Sequence, residues 1–385
     1  MNFELDSEHE LIRDMVRDFA AREIAPHARE WDRAEELPRE LIDRLGELGF
    51  LGAAIPERYG GMGLDMLGYC LLVEELARAD SSVRGVVTVN VGLVAKSILR
   101  WGDERQRQEW LPRICGGDAL GCFALTEPDV GSDAGNLRTS ARRERDGWTI
   151  SGQKMFITNA GLASVALVFA RTGGPGARGV SCFLVPADAP GFAVHPIKGK
   201  LGLRAQDTGE VVLDGVRVGA DAMLGGEGDG MKIAMSALDG GRTSLAASCV
   251  GTAQACLDAS VAYATTRRQF GGPIGAHQLI QGLLADMAVD VQAARLLAWQ
   301  SAAVADSGRR NTIEASFAKL FASEMAVRVS NSAVQIHGGY GFTDEYPVGK
   351  YLRDARVTTL YEGTSEMQRL IVGRHLTGIA AFSAN

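Results

Sequence analysis

The chain has 385 residues, of which 46% are hydrophobic and 23% charged, values of an ordinary soluble globular protein with two or three domains. Its 40 basic and 47 acidic residues give a net charge of −7, and no basic cluster is long enough to follow a phosphate backbone, so nucleic acid is not an expected partner. No uninterrupted apolar run approaches the ~20 residues of a membrane span, so no membrane-spanning segment is predicted.

The beginning of the chain and its cysteines indicate the compartment. The stretch MNFELDSEHELIRDM is acidic and amphipathic, which is unlike a signal or transit peptide. The six cysteines form no CxxC pair, and Cys249 and Cys256 lie in an apolar helical pattern that is typical of a protein core. We therefore expect no disulfide bonds and a reduced, cytoplasmic protein.

Three regions of different pattern follow one another, and they predict a multi-domain protein of α and β structure. Residues 1–118 carry apolar residues at three- and four-residue spacing, which indicates an N-terminal helical domain. Residues 119–226 contain short β-branched segments separated by Gly, Pro, Asp and Asn, which predicts a middle antiparallel β-domain. Residues 227–385 return to long Ala-, Leu- and Met-rich segments with few breakers, which predicts a C-terminal helical bundle.

Two stretches of the predicted β-domain carry candidate binding residues. In FALTEPDVGSD, residues 123–133, small hydrogen-bonding side chains flank a turn; a loop stabilised by its own Asp and Ser side chains explains this stretch equally well. KMFITNA places Phe156, Thr158 and Asn159 on a strand against which an aromatic cofactor could pack. Taken alone, a buried aromatic strand is the simpler interpretation of this second stretch.

Two further stretches lie in the predicted bundle. In RRQFGGPIGAHQ, Arg267 follows a long helix and a tight turn leads into the next helix at Gln278. A cation there suits a phosphate or pyrophosphate, although a basic helix end would also complement the helix dipole. QIHGGYGF, residues 335–342, is glycine-rich, so its backbone could approach another molecule closely or simply form a turn. Its His337 is more typical of a structural histidine than of a base.

The stretch TLYEGTSEMQRL, residues 359–370, contains two glutamates with different expected positions. Ser365 and Gln368 fit a capping box at a helix start, which would place Glu366 in the first helical turn. Glu362 would then lie outside the helix, on a backbone loosened by Gly363. A competing cap at Thr359 would instead place Glu362 in a helix start.

Taken together, the order and residues of these stretches resemble those of the acyl-CoA dehydrogenase family of flavoproteins. The resemblance covers nearly the whole chain and includes IPERYGGMGLD, LTEPDVGSD, QKMFITNAG, KLGLRAQDT, RRQFGGPI, LADM, QIHGGYGF and YEGTSEMQRL. It implies the family's fold: a helical domain, a β-domain and a four-helix bundle. It also implies FAD as the cofactor and a homotetramer that holds FAD partly across a subunit interface.

The resemblance implies a role for each matching residue, and no metal-binding pattern accompanies them. Glu362 matches the catalytic base, which removes the α-proton of the acyl thioester. The positions around the flavin ring match Phe123, Leu125, Thr126, Phe156 and Thr158, with Ser132 between flavin and substrate. The pyrophosphate and adenosine contacts match Arg267, Phe270, Gln278, and Gln335 to Gly339, which include Gly338. Further FAD contacts match Thr364 and Glu366, and acyl-CoA contacts match Asp239, Arg242 and Gly363.

The activity implied is dehydrogenation of an acyl-CoA thioester to the trans-2-enoyl-CoA, with electrons passed to an electron-transfer flavoprotein. Some family members place the base on a bundle helix at the position of Gly241; Glu362 in the loop is similar to the short-chain, medium-chain and butyryl arrangement, and the whole chain most resembles the bacterial short-chain or butyryl type. The acyl chain is left open, because it depends on packing near residues 69–94 and 235–245. A relative that acts on an acyl group tethered to a carrier protein, and an oxidase that uses oxygen directly, are the enzymatic alternatives.

Overall fold

The structure of the chain, a computed structural model, describes residues 4–381. The α-helices are α1 (Ser7–Phe19), α2 (Ala28–Ala34), α3 (Arg39–Glu47), α4 (Met66–Ala79), α5 (Ser81–Thr88), α6 (Lys96–Trp101), α7 (Glu104–Gly116), α8 (Gly230–Thr266), α9 (Gln278–Asp306), α10 (Thr312–His337), α11 (Val348–Val357) and α12 (Ser365–Thr377). The strands are β1 (Gly121–Ala124), β2 (Ser140–Arg143), β3 (Gly147–Thr158), β4 (Val165–Arg171), β5 (Val180–Pro186), β6 (Phe192–Pro196), β7 (Thr208–Gly219), β8 (Met223–Leu224), β9 (Arg268–Gln269) and β10 (Gly272–Pro273).

Helices α1 to α7 form the N-terminal region, as the apolar spacing predicts. The side chains of Asp6, Asp65 and Asp80 accept hydrogen bonds from backbone N–H groups at the starts of α1, α4 and α5. Helix α3 is followed by Gly49, which takes a left-handed φ of 78° and turns the chain. Helix α4 is buried along most of its length because it packs against α1, α8 and α9. A π-helical segment, Val89–Ala95, joins α5 to α6.

Strands β1 to β8 form one sheet in the order β6-β7-β3-β2-β4-β5-β8, and β1 pairs with β4. The long strands β3 and β7 are antiparallel, and so are β4 and β5. The predicted β-domain is confirmed, but its sheet is mixed and not wholly antiparallel, because β1 and β2 both run parallel to β4. The parallel pairing of β1 with β4 is possible because residues 125–164 separate the two strands, enough chain for a crossover.

The C-terminal region is a bundle in which α10 contacts α8, α9, α11 and α12. The buried positions of α8 and α10 are mainly small residues, such as Ala246, Ala253, Ala318 and Ala326, which allow close approach of the helices. Cys249 and Cys256 are buried in this core, as predicted, and all six cysteines are unpaired. The predicted boundaries at residues 118/119 and 226/227 stay predictions; the sheet runs from Gly121 to Leu224.

One buried ammonium connects the three regions of the chain. The Lys350 Nζ atom, on α11, lies 2.8 Å from Asp80 Oδ2 in the N-terminal helices and 2.6 Å from Asp354 Oδ2 on its own helix. Asp354 also accepts a 2.6 Å hydrogen bond from the backbone N–H of Leu203, in the loop between β6 and β7. The three charged side chains are buried, so each depends on the others for its compensation.

Two helical stretches, Ser81–Trp101 and Gly230–Thr266, are long and apolar enough to cross a membrane by length and composition alone. Inside the fold, 83% and 67% of their most apolar windows are covered by the rest of the protein. Core helices of folded domains satisfy the same test, so these stretches are weak evidence for a span. The expectation of no membrane span stays a prediction.

Candidate active site

The loop between α11 and α12 contains two consecutive residues in the left-handed region. Glu362 has φ +56° and Gly363 has φ +88°. Glycine adopts this conformation freely, but a glutamate pays for it, which marks a position held by its surroundings and often one that serves function. The expectation that Glu362 lies outside a helix is confirmed, and the competing cap at Thr359 is wrong because residues 358–360 form a turn.

The N-terminal cap of α12 is Thr364 and not Ser365, which corrects the predicted capping box. The Thr364 Oγ1 atom accepts a hydrogen bond from the N–H of Met367 at 3.3 Å. Gln368 does not fold back onto the cap, because its side chain is used elsewhere in the loop. Glu366 does lie in the first turn of α12, where it is exposed beside Arg369.

Three buried side chains hold the carbonyl groups of the two left-handed residues. Arg242 Nε donates to the Glu362 oxygen at 3.1 Å, and Lys319 Nζ donates to the Gly363 oxygen at 2.8 Å. Gln368 Nε2 donates to both oxygens, at 3.3 and 3.0 Å. A Cβ atom on Gly363 would lie 2.7 Å from Gln368 Nε2, so this close contact as well as the φ angle requires glycine there.

The Glu362 carboxylate occupies an environment that favours its neutral form. Its Oε2 atom is sealed from solvent and has no hydrogen-bond partner within residues 4–381. Burial raises the pKa of Glu362 to about 7, against the opposing influence of Arg84, Arg242 and Lys319. A carboxylate with such a pKa is well matched to accept a proton near neutral pH.

The carboxylate reaches the surface of α8 at Gly241. A Cβ atom on Gly241 would lie 2.8 Å from Glu362 Oε2, whereas a Cβ atom on the neighbouring Gly240 would meet nothing within 4 Å. The two positions discussed as alternatives in the sequence, a base in the loop and a base on this helix, therefore converge on the same point. Because residue 241 is a glycine, the Glu362 carboxylate can occupy the space that a side chain there would fill.

Asp239 supports this arrangement from the same helix. Its Oδ1 atom lies 3.1 Å from Arg242 Nη1, and its Oδ2 atom accepts a 2.6 Å hydrogen bond from Thr312 Oγ1 at the start of α10. Within the chain, Asp239 thus orients the guanidinium that holds the Glu362 carbonyl. Its predicted contact with acyl-CoA stays a prediction.

The predicted flavin residues come together at the ends of β1 and β3. The N–H of Met155 donates to the Thr126 carbonyl at 2.9 Å, which joins the segment after β1 to β3. Phe156 lies at a register shift between Lys154 and Ile157, has φ +61° and is 66% exposed. The interpretation of a buried aromatic strand is wrong, because the bulge turns the ring outward. Phe123 and Leu125 are half-buried beside it, and Ser132 is exposed on the following loop.

Helix α5 connects this face of the sheet to the Glu362 loop. Thr158 Oγ1 accepts a 2.9 Å hydrogen bond from Gln206 Nε2, and the Gln206 side chain lies so close to Gly85 that a Cβ atom there would be 1.8 Å from its Oε1. One residue earlier in α5, Arg84 Nη2 donates to the Tyr361 hydroxyl at 3.1 Å. Adjacent residues of one short helix thus contact the Gln206 side chain, which binds Thr158, and Tyr361, which precedes Glu362.

The remaining predicted cofactor residues lie at the opposite end of the bundle. The Arg267 guanidinium lies over the Tyr340 ring at 5.5 Å, which brings the turn after α8 beside the end of α10. Gln278, Gln335, Gly338 and Gly339 are exposed at this end. Phe270 has φ +52° and is 97% exposed, an unusual position for an aromatic ring. His337 is buried, and its Nδ1 lies 2.8 Å from the Ala333 carbonyl, as expected for a structural histidine.

The two groups of residues are far apart within one chain. At a rise of ~1.5 Å per residue, Arg267 lies roughly 37 Å along the axis of α8 from Arg242. Helix α10 also runs between the two groups: it contacts Gly363 through Lys319, and Gln335 lies ~24 Å further along its axis. A single dinucleotide therefore does not bridge the two groups on one copy of the chain.

Family models match along nearly the whole chain: acyl-CoA dehydrogenase N-terminal domain at residues 6–118, middle domain at 122–216 and C-terminal domain at 228–377. The chain belongs to the acyl-CoA dehydrogenase family. It is 46% identical to the probable acyl-CoA dehydrogenase YngJ of Bacillus subtilis, over 98% of this chain and 100% of that protein. The resemblance found in the sequence is thereby confirmed.

Two solved structures are similar over the same length. Butyryl-CoA dehydrogenase from Megasphaera elsdenii is 41% identical, with a TM-score of 0.96 over 98% of this chain and 100% of that one. A glutaryl-CoA dehydrogenase from Mycobacterium smegmatis in complex with FADH2 is 38% identical, with a TM-score of 0.94 over 98% and 96% of the two chains. As an acyl-CoA dehydrogenase family member, the chain is an FAD-dependent oxidoreductase acting on CH–CH bonds, with the predicted helical, sheet and helical-bundle fold.

The residues present fit FAD as the cofactor of this acyl-CoA dehydrogenase. The outward ring of Phe156 and the half-buried Phe123 and Leu125 offer an apolar face to a flat ring system. At the other end of the bundle, the exposed Arg267 and the open glycine backbone at Gly338 suit a pyrophosphate. A bound dinucleotide would cover these exposed apolar and charged groups.

Sequence reasoning missed three residues of the site. Lys319 lies on the buried face of α10 among alanines. A lysine at an apolar position of the pattern ASFAKLFASEMA was the signal that could have found it. Gln368 was assigned to a cap, and its true partners are set by the tertiary fold. Arg84, in the apolar run SSVRGVVTV, is buried as well, and a lone charge in such a run was the signal that could have found it.

Proposed function

We propose that this chain catalyses the α,β-dehydrogenation of a short acyl-CoA thioester to the trans-2-enoyl-CoA, with Glu362 as the general base. The observation that carries the proposal is the Glu362 carboxylate, held in a left-handed loop with one oxygen sealed from solvent and unpartnered. Its pKa of about 7 lies close to the pH at which a base must act. The similarity to a butyryl-CoA dehydrogenase supports a short acyl chain.

Each proposed step uses groups of this chain. Glu362 accepts the α-proton of the thioester and becomes neutral, the form that its buried surroundings favour. The N–H of Glu362, which has no acceptor within residues 4–381, donates to the thioester oxygen as negative charge develops there. Bound FAD supplies the acceptor for the β-hydrogen, which leaves as a hydride. Arg242, Lys319 and Gln368 keep the loop in place while the carboxylate changes charge.

The distal residues serve the FAD of a neighbouring copy in this proposal. Arg267, Phe270 and Gln278 lie too far from Glu362 along the bundle to contact the same dinucleotide. A homotetramer, as the family resemblance implies, would place them against a partner's cofactor and cover the exposed Phe270 ring. We also propose an electron-transfer flavoprotein as the electron acceptor, and the cytoplasm as the location, in agreement with six unpaired cysteines.

The test is an anaerobic titration of the yellow holoprotein with butyryl-, isobutyryl-, octanoyl- and glutaryl-CoA, followed by the flavin absorbance. Bleaching by one of them supports the half-reaction and identifies the class of acyl group. A yellow protein that none of them bleaches would contradict the proposal for free CoA esters and favour an acyl group on a carrier protein. Protein that neither carries nor takes up FAD would contradict the cofactor assignment itself.

A further inference from the structure

The side-chain hydroxyl of Thr158, at the end of β3, accepts a hydrogen bond from a buried amide. The Gln206 Nε2 atom lies 2.9 Å from Thr158 Oγ1. An amide nitrogen only donates, so the Thr158 oxygen is the acceptor in this bond. The hydroxyl also carries one proton of its own, and within residues 4–381 this proton is donated to no acceptor. The Thr158 O–H is therefore available as a donor to a bound molecule.

The backbone of Gln206 has a fixed place beside Thr158. Gln206 lies in the loop between β6 and β7, two residues before Thr208, which pairs with Thr158 across the two strands. The N–H of Gln206 donates to the Leu203 carbonyl at 3.1 Å, and its own carbonyl accepts from Lys200 Nζ at 3.0 Å. The strand pairing and these two bonds bring the Gln206 side chain to the end of β3.

The loop that carries Gln206 is held at several further points. The Lys200 ammonium donates to three backbone carbonyls of this loop, including that of Gln206. Leu203 has a left-handed φ of +48°, and its N–H donates to Asp354 Oδ1 at 2.6 Å. A non-glycine residue keeps such a φ only where its surroundings hold it, so the loop around Gln206 is well defined.

The far end of the Gln206 side chain is confined by α5. Gln206 is 8% exposed, and a Cβ atom on Gly85 would lie 1.8 Å from its Oε1 atom and 2.7 Å from its Cδ atom. Glycine at residue 85 therefore leaves the space that the amide occupies. A side chain locked in this way by packing holds its hydrogen-bond partner in one orientation.

An oriented hydroxyl suits the chemistry that bound FAD undergoes. Reduction places negative charge on the flavin, and a donor aimed at that charge stabilises the reduced form. A hydroxyl without other partners can either donate or accept, whereas the Gln206 amide makes Thr158 Oγ1 an acceptor on one side and leaves its proton for the other. Hydrogen bonds in a chain also strengthen one another, so the bond from Gln206 makes Thr158 a better donor.

We propose that Gln206 is a positioning residue, whose amide orients the Thr158 hydroxyl so that this hydroxyl donates to the bound flavin. The inference rests on the proposed function, through the predicted flavin contact of Thr158. Its consequence is a higher reduction potential of bound FAD, which favours acceptance of the hydride from the acyl group. Gln206 acts on the flavin only through Thr158.

The test measures the two-electron midpoint potential of FAD in the substrate-free holoprotein, by equilibration with a dye of known potential. Gln206→Met keeps the approximate length of the side chain and removes the donor. We expect the equilibrium constant for flavin reduction to fall about fivefold to tenfold, or ~20–30 mV for a two-electron couple. Gln108→Met, at an exposed glutamine of α7 that bonds within its own helix, is the control and should leave the potential unchanged.

The sign of the shift tests the direction of the hydrogen bond. If Gln206 accepted the Thr158 proton in the wild type, Gln206→Met would release that proton to the flavin and raise the potential. A raised potential would therefore overturn the proposal. A lower melting temperature with an unchanged potential would also overturn it, because it would show that Gln206 only stabilises the fold.

Thr158→Val tests whether Gln206 acts through the hydroxyl. This substitution should lower the potential by itself, and the addition of Gln206→Met should then lower it no further. Thr158→Ser keeps the hydroxyl and should retain both the potential and its dependence on Gln206. Equal shifts from Gln206→Met with and without the hydroxyl would contradict a role through Thr158.

These outcomes separate the inference from the proposed reaction. An unchanged potential in Thr158→Val would overturn the flavin contact of Thr158 and the role of Gln206 together. The expected shifts in a protein whose flavin no acyl-CoA reduces would keep Gln206 as a positioning residue and overturn the proposed dehydrogenation.

Discussion

The two ends of the C-terminal bundle are built in opposite ways. Around Glu362, a strained loop is held by buried donors from three helices, namely Arg242, Lys319 and Gln368. Around Phe270, the chain is equally strained, with a non-glycine φ of +52°, but the ring is almost fully exposed. A strained residue that buried side chains of the same chain hold in place indicates a site that is complete in one copy. A strained residue whose aromatic ring is exposed to solvent indicates a surface that another molecule covers.

The largest expected effect is at the buried end, for Glu362→Gln. Removal of the general base should lower the rate of flavin reduction by ~10²–10⁴ with FAD still bound, measured by anaerobic stopped-flow absorbance. Glu10→Gln, at an exposed glutamate of α1, is the control and should leave the rate unchanged. A Glu362→Gln protein with ordinary rates would move the base elsewhere.

Gly241→Ala should have the next largest effect. The added methyl group would lie 2.8 Å from Glu362 Oε2 and displace the carboxylate, and a shift of this kind costs up to about 10²-fold in rate. Gly240→Ala is the matched control in the same helix, because its Cβ meets open space. Gly240→Ala should raise the free energy of unfolding by roughly 0.5–1 kcal/mol and keep the rate. Similar rates for the two variants would contradict the position of the carboxylate.

Arg267→Gln probes the exposed end, where we expect a loss of cofactor and not of chemistry. The flavin content after purification should fall several-fold, while the bound fraction should reduce at a nearly normal rate per flavin. Arg145→Gln, an exposed arginine of the β-domain, is the control. Full retention of yellow colour in Arg267→Gln would contradict the predicted pyrophosphate contact.

The smallest effect expected is a pH dependence at the buried end. Because Glu362 must be ionised to accept a proton and has a pKa of about 7, kcat/KM should rise as pH increases through 7 and then level off. The same raised pKa makes stability change with pH in the opposite direction to kcat/KM. Between about pH 4.5 and 7 the folded state holds a proton that the unfolded state has lost, so this group's contribution to stability falls as pH rises.

Lys319→Met sharpens the pH prediction, because Lys319 is one of the cations that lower the Glu362 pKa. The midpoint of the kcat/KM profile should move to higher pH in this variant. Lys232→Met, an exposed lysine near the start of α8, should not move it. An unmoved midpoint in Lys319→Met would indicate that the profile reports another group.

The general fold and the position of Glu362 were accessible from sequence because local patterns determine them. Helical spacing, β-branched segments and a Gly after a Glu each depend only on residues that are close in the sequence. The predicted cap residue of α12, Ser365, was wrong because Thr364 and Ser365 both carry the required hydroxyl. The choice between them follows from Gln368, which the tertiary fold directs to the carbonyls of residues 362 and 363.

The features that sequence reasoning missed depend on contacts between distant segments. The outward turn of Phe156 follows from a register shift against β7, which the alternation of residues within β3 does not reveal. The pairing of β1 with β4 is decided by a long crossover. The contact of Arg84 with the Tyr361 hydroxyl joins residues 277 positions apart, which a single sequence does not display.

The ammonium of Lys350 has a consequence for how the chain can be taken apart. Because Lys350 is paired with Asp80, and its second partner Asp354 also binds the backbone N–H of Leu203, removal of any one region would leave at least one buried polar group of this cluster without a partner. The segments that look separable by pattern should therefore melt in a single cooperative transition. A chimera that carries the middle segment of a relative should fold only if that segment keeps the backbone contact of Leu203 with Asp354.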